Sequence, residues 1–138
     1  SSKNGEVPVG AISVLNGKVL VKSGNEMENN KNPLYHAEIL VLLRSAKILY
    51  NLGQPIKYKN LDLYVTLEPC PMCAHAISLM RIKNLYYGAD DFKSGGVKHG
   101  PRIFEQRTCH HKPAIHSGIL RKESEKLLKN FFIKLRKK

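Results

Sequence analysis

One junction in the chain constrains the fold more than any other segment. The apolar run Leu61–Leu67 has the length and composition of a buried strand. It leads within a few residues to Pro69 and Pro71, and proline is tolerated in the first turn of a helix but not later. A helix is therefore predicted to begin near Pro69–Pro71 and to run to about Met80. A strand that feeds directly into a helix is typical of a sheet covered by helices.

The other apolar patterns extend this alternation of strands and helices. Asn16-Gly17 separates two strand-like runs and is the strongest short signal for a hairpin. The remaining predicted elements are strands at Val9–Leu15, Val19–Ser23 and Asn84–Gly88, helices over 36–50 and 123–137, and a long, mostly irregular region over 90–117. Because the 138 residues contain no repeat or linker, one α/β domain over 1–138 is expected.

Charge and cysteine content limit the classes of function. The chain has 23 Lys and Arg against 11 Asp and Glu, a net charge of +12, which favours a polyanionic partner, either nucleic acid or an anionic membrane surface. AT-rich codons favour lysine and would give the same excess of basic residues without any functional pressure. No apolar run approaches the ~18–20 residues of a membrane helix, and no signal peptide is visible. The three cysteines, two of them three residues apart, indicate a reducing compartment, so a cytoplasmic location is expected.

Two predicted helix starts carry metal-binding residue types. Cys70 and Cys73 share a helix face and can bind one metal ion, with His36 at the other helix start as a third ligand. Two cysteines and one histidine form a catalytic zinc set, which leaves the fourth position open for water. Zinc lowers the pKa of that water, and Glu38 is placed to move its proton. The pattern H-x-E followed by P-C-x-x-C is the signature of zinc nucleobase deaminases.

The chain resembles the bacterial tRNA-specific adenosine deaminases from Glu6 to Phe132. The segments that carry the resemblance are Glu6-Val-Pro-Val-Gly-Ala11, Asn25, His36-Ala-Glu38, Tyr64-Val-Thr-Leu-Glu-Pro-Cys70, Cys73-Ala74 and Gly118-Ile-Leu. The resemblance implies a three-layer α/β/α fold of the cytidine-deaminase type with a central mixed five-stranded sheet, one zinc ion per subunit and a homodimer. It also implies that adenosine becomes inosine at the wobble position of a tRNA anticodon, through attack of zinc-activated hydroxide on adenine C6.

Individual roles also follow from the resemblance. It implies that His36, Cys70 and Cys73 bind zinc and that Glu38 shuttles protons. The implied contacts with the anticodon stem-loop are Asn25 on the base edge, Pro8 and Val9 as an apolar wall, the backbone around Ala37 and Glu68, Asp91 in the loop Ala89-Asp90-Asp91-Phe92-Lys93 beside the flanking RNA, and Phe131 and Phe132 near the same groove. Two departures stand out. Only five residues precede Glu6, where relatives have a helix, and Asp90 stands where relatives often carry a base.

Other interpretations of the same residues stay open. Cys70 and Cys73 can form a redox pair. A fourth ligand would close the zinc site and give a nonenzymatic, zinc-stabilised RNA-binding module; the candidates are His75, His99, Cys109, His110 and His111. Glu38 argues against that module, because a structural zinc site needs no acid or base. The zinc ligands do not separate adenosine in tRNA from free cytidine, cytosine or guanine, but the net charge favours tRNA.

Overall fold

A single five-stranded sheet organises the part of the chain that the computed structural model describes, residues 9–24, 32–53 and 60–118. In chain order the elements are β1 Gly10–Leu15, β2 Lys18–Gly24, α1 Ala37–Asn51, β3 Leu61–Leu67, α2 Pro71–Leu79, β4 Asn84–Ala89, a 3₁₀ turn Ile103–Glu105 and β5 Ala114–Ser117. The strand order is β2-β1-β3-β4-β5. β1 is antiparallel to β2 and β3, whereas β3, β4 and β5 run parallel. The predicted mixed five-stranded sheet is confirmed.

The hairpin between β1 and β2 forms at the predicted dipeptide. Asn16 and Gly17 have φ values of 51° and 82°, the left-handed conformation that a tight hairpin turn requires. A bulge between Ser13 and Val14 shifts the register of the two strands. Beyond this bulge the pairing is regular as far as Gly10 opposite Gly24.

The core lies between the sheet and the two described helices. Leu61, Leu63 and Val65 alternate along β3 with their side chains fully buried, as expected for one face of a strand. They share a core with Val41 of α1 and Ile77 of α2, so both helices cover the same face of the sheet. The helix predicted over 123–137 lies outside the described residues. Neither α1 nor α2, in the part of the chain described, has the length and hydropathy of a membrane-spanning helix.

The last part of the region over 90–117 differs from the sequence prediction. It was predicted to be mostly irregular, yet Ala114–Ser117 forms β5, parallel to β4. Four residues are too few for an apolar alternation to indicate a strand. Pairing with β4, which begins 30 residues earlier at Asn84, makes this segment a strand.

The topology brings several chain segments to one edge of the sheet. β3 and β4 are parallel, and Leu67 pairs with Ala89 where both strands end. β1 begins at the same edge, because the backbone N–H of Gly10 donates to the Thr66 hydroxyl at 3.0 Å. The residues after β3 enter α2 directly. The start of α2, the loop after β4 and the start of β1 therefore lie close together.

Candidate metal centre

The N-terminal ends of the two helices bring three metal-binding side chains together. Nδ1 of His36 lies 3.8 Å from Sγ of Cys70 and 3.6 Å from Sγ of Cys73. Tetrahedral zinc, with Zn–N and Zn–S bonds of about 2.0 and 2.3 Å, separates such atoms by about 3.6 Å. The three donors therefore match one face of a tetrahedral zinc site.

Local helix geometry explains this placement. His36 is the N-cap of α1 and Cys70 is the N-cap of α2, both with extended backbone. Pro71 occupies the first helical turn, where its missing N–H costs no intrahelical hydrogen bond. Cys73 follows within the same turn and is fully buried. Both sulfurs thus lie at the positive end of the α2 dipole, which favours thiolates.

The two cysteines differ in their readiness to lose a proton. The hydrogen bond with Cys73 lowers the pKa of Cys70 to about 4, helped by His36 and opposed by burial. The same hydrogen bond, together with burial, raises the pKa of Cys73. Cys70 is therefore a thiolate at neutral pH, the form in which cysteine binds metals. A divalent ion held by both sulfurs would displace the proton of Cys73.

Glu38 provides a separate carboxylate beside this group. Its residue is only 4% exposed, and its Oε1 has no hydrogen-bond partner among the described residues. Burial raises the pKa of Glu38 to about 7, although a hydrogen bond from its own backbone N–H acts to lower this pKa. A buried oxygen without a partner costs about 1–3 kcal/mol, unless water or a substrate satisfies it. This unpaired oxygen and the spacing of the sulfur and nitrogen donors fit a zinc site with an open position.

No fourth protein ligand joins His36, Cys70 and Cys73 among the residues described. Three of the five alternative ligands have other partners in the structure. His99 contacts Glu68 at 2.7 Å. The Cys109 thiol donates to the Ser78 hydroxyl at 3.2 Å, and the His111 ring donates to the Ile82 carbonyl oxygen at 2.7 Å. His75 and His110 are exposed on the surface. The geometry therefore gives no support to a closed structural site.

The predicted substrate contacts other than Glu68 fall into three groups. Val9 and Ala37 are buried members of one core cluster, next to the start of β1 and the start of α1. Asp91 lies in the loop after β4, where its Oδ1 accepts hydrogen bonds from the backbone N–H groups of Lys93 and Ser94. That oxygen organises the turn of its own loop. Pro8, Asn25, Phe131 and Phe132 lie outside the described residues.

The Glu68 side chain has a role that the sequence did not indicate. Its carboxylate accepts five hydrogen bonds, from the backbone N–H groups of Asp91, Val97, Lys98 and His99 and from the His99 ring. Burial alone would raise the pKa of Glu68, but these hydrogen bonds outweigh it and lower the pKa. The oxygen and nitrogen donors of Glu68, Asp90 and His99 lie within 4.8 Å of one another. Since protein donors already occupy the Glu68 oxygens, this group anchors the loop.

Two adjacent glycines allow the anchored loop to lie against the ligand segment. The N–H of Gly96 donates to the Pro69 carbonyl oxygen at 2.8 Å. A Cβ at Gly96 would lie 2.5 Å from the Pro71 nitrogen, and a Cβ at Gly95 would lie 2.4 Å from Oε2 of Glu68. Real Cβ atoms do not approach so closely, so both positions require glycine. The sequence shows the Gly-Gly pair, but it does not show that Pro71, 25 residues before Gly96, packs against it.

Comparisons with known proteins identify the family of this chain. The MafB19-like deaminase family matches residues 1–136. The tRNA-specific adenosine deaminase of Agrobacterium fabrum is 49% identical over 92% of this chain and 81% of its own length. That of Rickettsia bellii is 48% identical over 98% and 91%. A solved structure from studies of A-to-I editing by tRNA:A34 deaminases at the wobble position superposes with a TM-score of 0.76 at 49% identity, covering 85% of this chain and 87% of the other. The chain therefore belongs to the MafB19-like deaminase family and to the tRNA-specific adenosine deaminases.

Proposed function

We propose that this protein converts adenosine to inosine at the wobble position of a tRNA anticodon, with one zinc ion held by His36, Cys70 and Cys73. The observation that carries the proposal is the buried, unpaired Oε1 of Glu38 beside a three-ligand set. A structural zinc site has no use for an additional carboxylate that does not bind the metal. A hydrolytic site does, because protons must move during the reaction.

The proposed chemistry assigns most proton movements to Glu38. When bound, zinc acts as a Lewis acid that makes water nucleophilic near neutral pH. Glu38 accepts a proton from the attacking water while the water oxygen forms a bond to adenine C6. It passes this proton to the ring nitrogen, then accepts the second proton from the new hydroxyl group on C6 and passes it to the amino group. The bond between C6 and the amino nitrogen breaks as the C6 carbonyl forms. One water is consumed, and inosine and ammonia are released.

The remaining site residues are proposed to orient the base. Asn25 is assigned to the base edge, with Pro8 and Val9 as the apolar wall. The backbone of Ala37 and Glu68 is assigned to the surround of the pocket. Contacts with the flanking RNA are assigned to Asp91, Phe131 and Phe132. An unpaired loop base suits such a pocket, because extracting it costs less than extracting a paired base. The net charge of +12 supports a polyanionic substrate over a free nucleoside or base.

We also infer a homodimer and a cytoplasmic location. Support for the homodimer comes from the family resemblance alone. Support for the location comes from the three free cysteines, two of which lie together as metal ligands and need a reducing compartment to stay unoxidised. The tRNA substrate agrees with that compartment.

An inosine assay on matched substrates tests the proposal. The zinc-loaded protein is incubated with anticodon stem-loops that carry adenosine or cytidine at the wobble position, and with free adenosine, cytidine, cytosine and guanine. We expect inosine from the adenosine stem-loop and little or no product from the others. Preference for a free nucleoside or base would instead assign a small-molecule deaminase. Stem-loop binding without any product would assign a nonenzymatic RNA-binding module.

A further inference from the structure

We propose that the cavity between α2 and the segment 108–111 binds a phosphate group, and that the Arg81 guanidinium is its main contact. The phosphate can belong to the backbone of an RNA or to a small phosphorylated molecule. The cavity lies apart from the metal centre, so the inference goes beyond the proposed function and does not depend on deamination.

The cavity lies on the side of α2 that faces away from the zinc ligands. It has a volume of about 440 Å³, within the ~300–1,000 Å³ of small-molecule sites, and is lined in part by His75 and Leu79, both exposed on α2. His75 follows Cys73 by two residues, which turns its side chain about 200° around the helix axis. Since Cys73 is fully buried, the cavity and the metal centre lie on different sides of the helix.

The side chains that line the cavity favour a negatively charged ligand. Arg81, His75 and His110 supply nitrogen donors, and Thr108 supplies a hydroxyl group. Among the described residues that line the cavity, none is acidic and only Leu79 is apolar. The planar array of N–H donors in arginine matches the geometry of a phosphate group. A phosphate therefore suits this cavity better than a cation or an apolar ligand.

Hydrogen bonds hold the two walls of the cavity together. The Ser78 hydroxyl of α2 donates to the His111 carbonyl oxygen at 2.7 Å, and the His111 ring donates to the Ile82 carbonyl oxygen at 2.7 Å. The Arg81 guanidinium donates to the His110 carbonyl oxygen at 3.2 Å. This bond uses one of the five guanidinium N–H donors, and the others have no partner among the described residues. The guanidinium is thus held beside the cavity with donors available to a ligand.

The backbone at Arg81 is a separate indication of function. Arg81 follows the C-cap residue Met80 and has a φ of 57°, the left-handed conformation in which helices usually end on glycine. The N–H groups of Arg81 and Ile82 donate to the carbonyl oxygens of Ser78 and Ile77, as in a Schellman C-cap. Any side chain with a Cβ is less stable than glycine in this conformation. Such backbone strain is concentrated at functional sites.

The surroundings of the cavity are also basic. Arg107 and Lys112 are exposed on the two sides of the segment 108–111, in a chain with a net charge of +12. Positive charge around a concave site raises the local concentration of anions. An RNA backbone and a small phosphorylated molecule both meet this requirement, so the experiment must separate them.

Substitutions at Arg81 separate phosphate binding from stability. Inorganic phosphate and adenosine 5′-monophosphate are titrated into the zinc-loaded full chain, and binding is followed by the NMR shifts of the backbone amides of residues 107–112. Arg81→Gly should weaken binding about 10- to 100-fold, the loss of one charge-assisted hydrogen bond. It should keep or raise the thermal midpoint, because glycine prefers the backbone conformation at this position. Arg81→Lys keeps the charge without the planar donors and should bind with intermediate affinity.

Lys83→Ala is the matched control for charge. Lys83 is exposed two residues from Arg81 and does not line the cavity, so the variant should keep wild-type phosphate affinity. Equal affinity in wild type and Arg81→Gly would overturn the proposal. An absence of shifts in residues 107–112 at millimolar phosphate would overturn it as well.

Thr108 gives a second test that leaves Arg81 in place. Thr108→Glu adds a carboxylate at an exposed position of the cavity and should abolish phosphate binding by repulsion. Thr108→Gln adds nearly the same volume without the charge and should retain binding. Equal phosphate affinity in the two variants would contradict an anion site in this cavity.

The stem-loop identifies the source of the phosphate. If RNA occupies the cavity, Arg81→Gly should weaken stem-loop binding and reduce the slope of log K against log salt by about 0.7, and the stem-loop should displace adenosine 5′-monophosphate from residues 107–112. If a small molecule occupies it, both ligands should bind together and Arg81→Gly should bind the stem-loop as Lys83→Ala does. Inosine formation is not a readout of these measurements. A failure of the proposed function is therefore distinguishable from a failure of this site.

Discussion

His99 donates a 2.7 Å hydrogen bond from its ring to the buried carboxylate of Glu68, across 31 residues of chain. Glu68 belongs to the segment that leads from β3 to the cysteine ligands, and His99 belongs to the loop after β4. The pair therefore connects the candidate metal centre to the loop expected to contact RNA.

Substitution of Glu68 tests this connection. Glu68→Gln keeps the side-chain volume but turns an amide nitrogen toward backbone N–H groups that need an acceptor. We expect the free energy of unfolding to fall by about 1–3 kcal/mol, the cost of buried donors left without partners. Denaturant unfolding of the zinc-loaded protein measures this change. A decrease below about 0.5 kcal/mol would show that the loop does not depend on the carboxylate.

Gly96→Ala tests the close packing of the loop on the ligand segment. The added Cβ would lie 2.5 Å from the Pro71 nitrogen, so the backbone beside Cys70 must move. We expect a loss of about 1–3 kcal/mol in unfolding free energy and weaker zinc binding. Ser94→Ala, in an exposed position of the same loop, serves as the control and should change neither quantity. Wild-type zinc affinity in Gly96→Ala would contradict the packing argument.

The three cysteines give a matched test of the metal centre. Cys73→Ser should lose the bound zinc and lower the thermal midpoint, because Cys73 lies 3.6 Å from His36 in the donor set. Cys109→Ser should keep one zinc per chain, since its thiol contacts Ser78 and not the donor set. Metal analysis of the purified variants measures both outcomes. Zinc retained by Cys73→Ser, or lost from Cys109→Ser, would require a different ligand set.

A buried pair of hydroxyl groups joins β1 to α1. Ser13 and Ser45 are both fully buried, and their oxygens lie 2.7 Å apart. Ser45→Ala should destabilise the fold by about 1–3 kcal/mol, because it leaves the Ser13 hydroxyl without that partner. Adding Ser13→Ala should recover part of the loss, as measured by a double-mutant cycle in denaturant. Strictly additive losses would show that the two hydroxyls do not interact.

The parts of the structure that the sequence predicted depend on local patterns. The start of α2 follows from Pro71, and the hairpin follows from Asn16-Gly17, since each feature restricts the backbone at its own position. The positions of His36 and Cys70 at helix starts were predicted in the same way, from residues close to them in the sequence. These residues carry their structural information within a few neighbours.

The parts that were not predicted depend on distant partners. β5 is a strand only because β4 pairs with it. The hydrogen bonds of Glu68 come from residues 23 to 31 positions away, across a loop without periodicity. A glutamate followed by proline and cysteine does not by itself indicate that its side chain holds another loop. Only the folded topology brings these residues together.

The most direct test of the account is Glu38→Gln, which removes the acid–base function with almost no change in volume. The variant should keep one zinc per chain, because Glu38 is not in the donor set. Its rate of inosine formation on the adenosine stem-loop should fall by about 10²–10⁴-fold or more, the usual contribution of general acid–base catalysis. Glu105→Gln, at an exposed position, should retain the wild-type rate. Loss of zinc from Glu38→Gln, or turnover within tenfold of wild type, would contradict the assigned role.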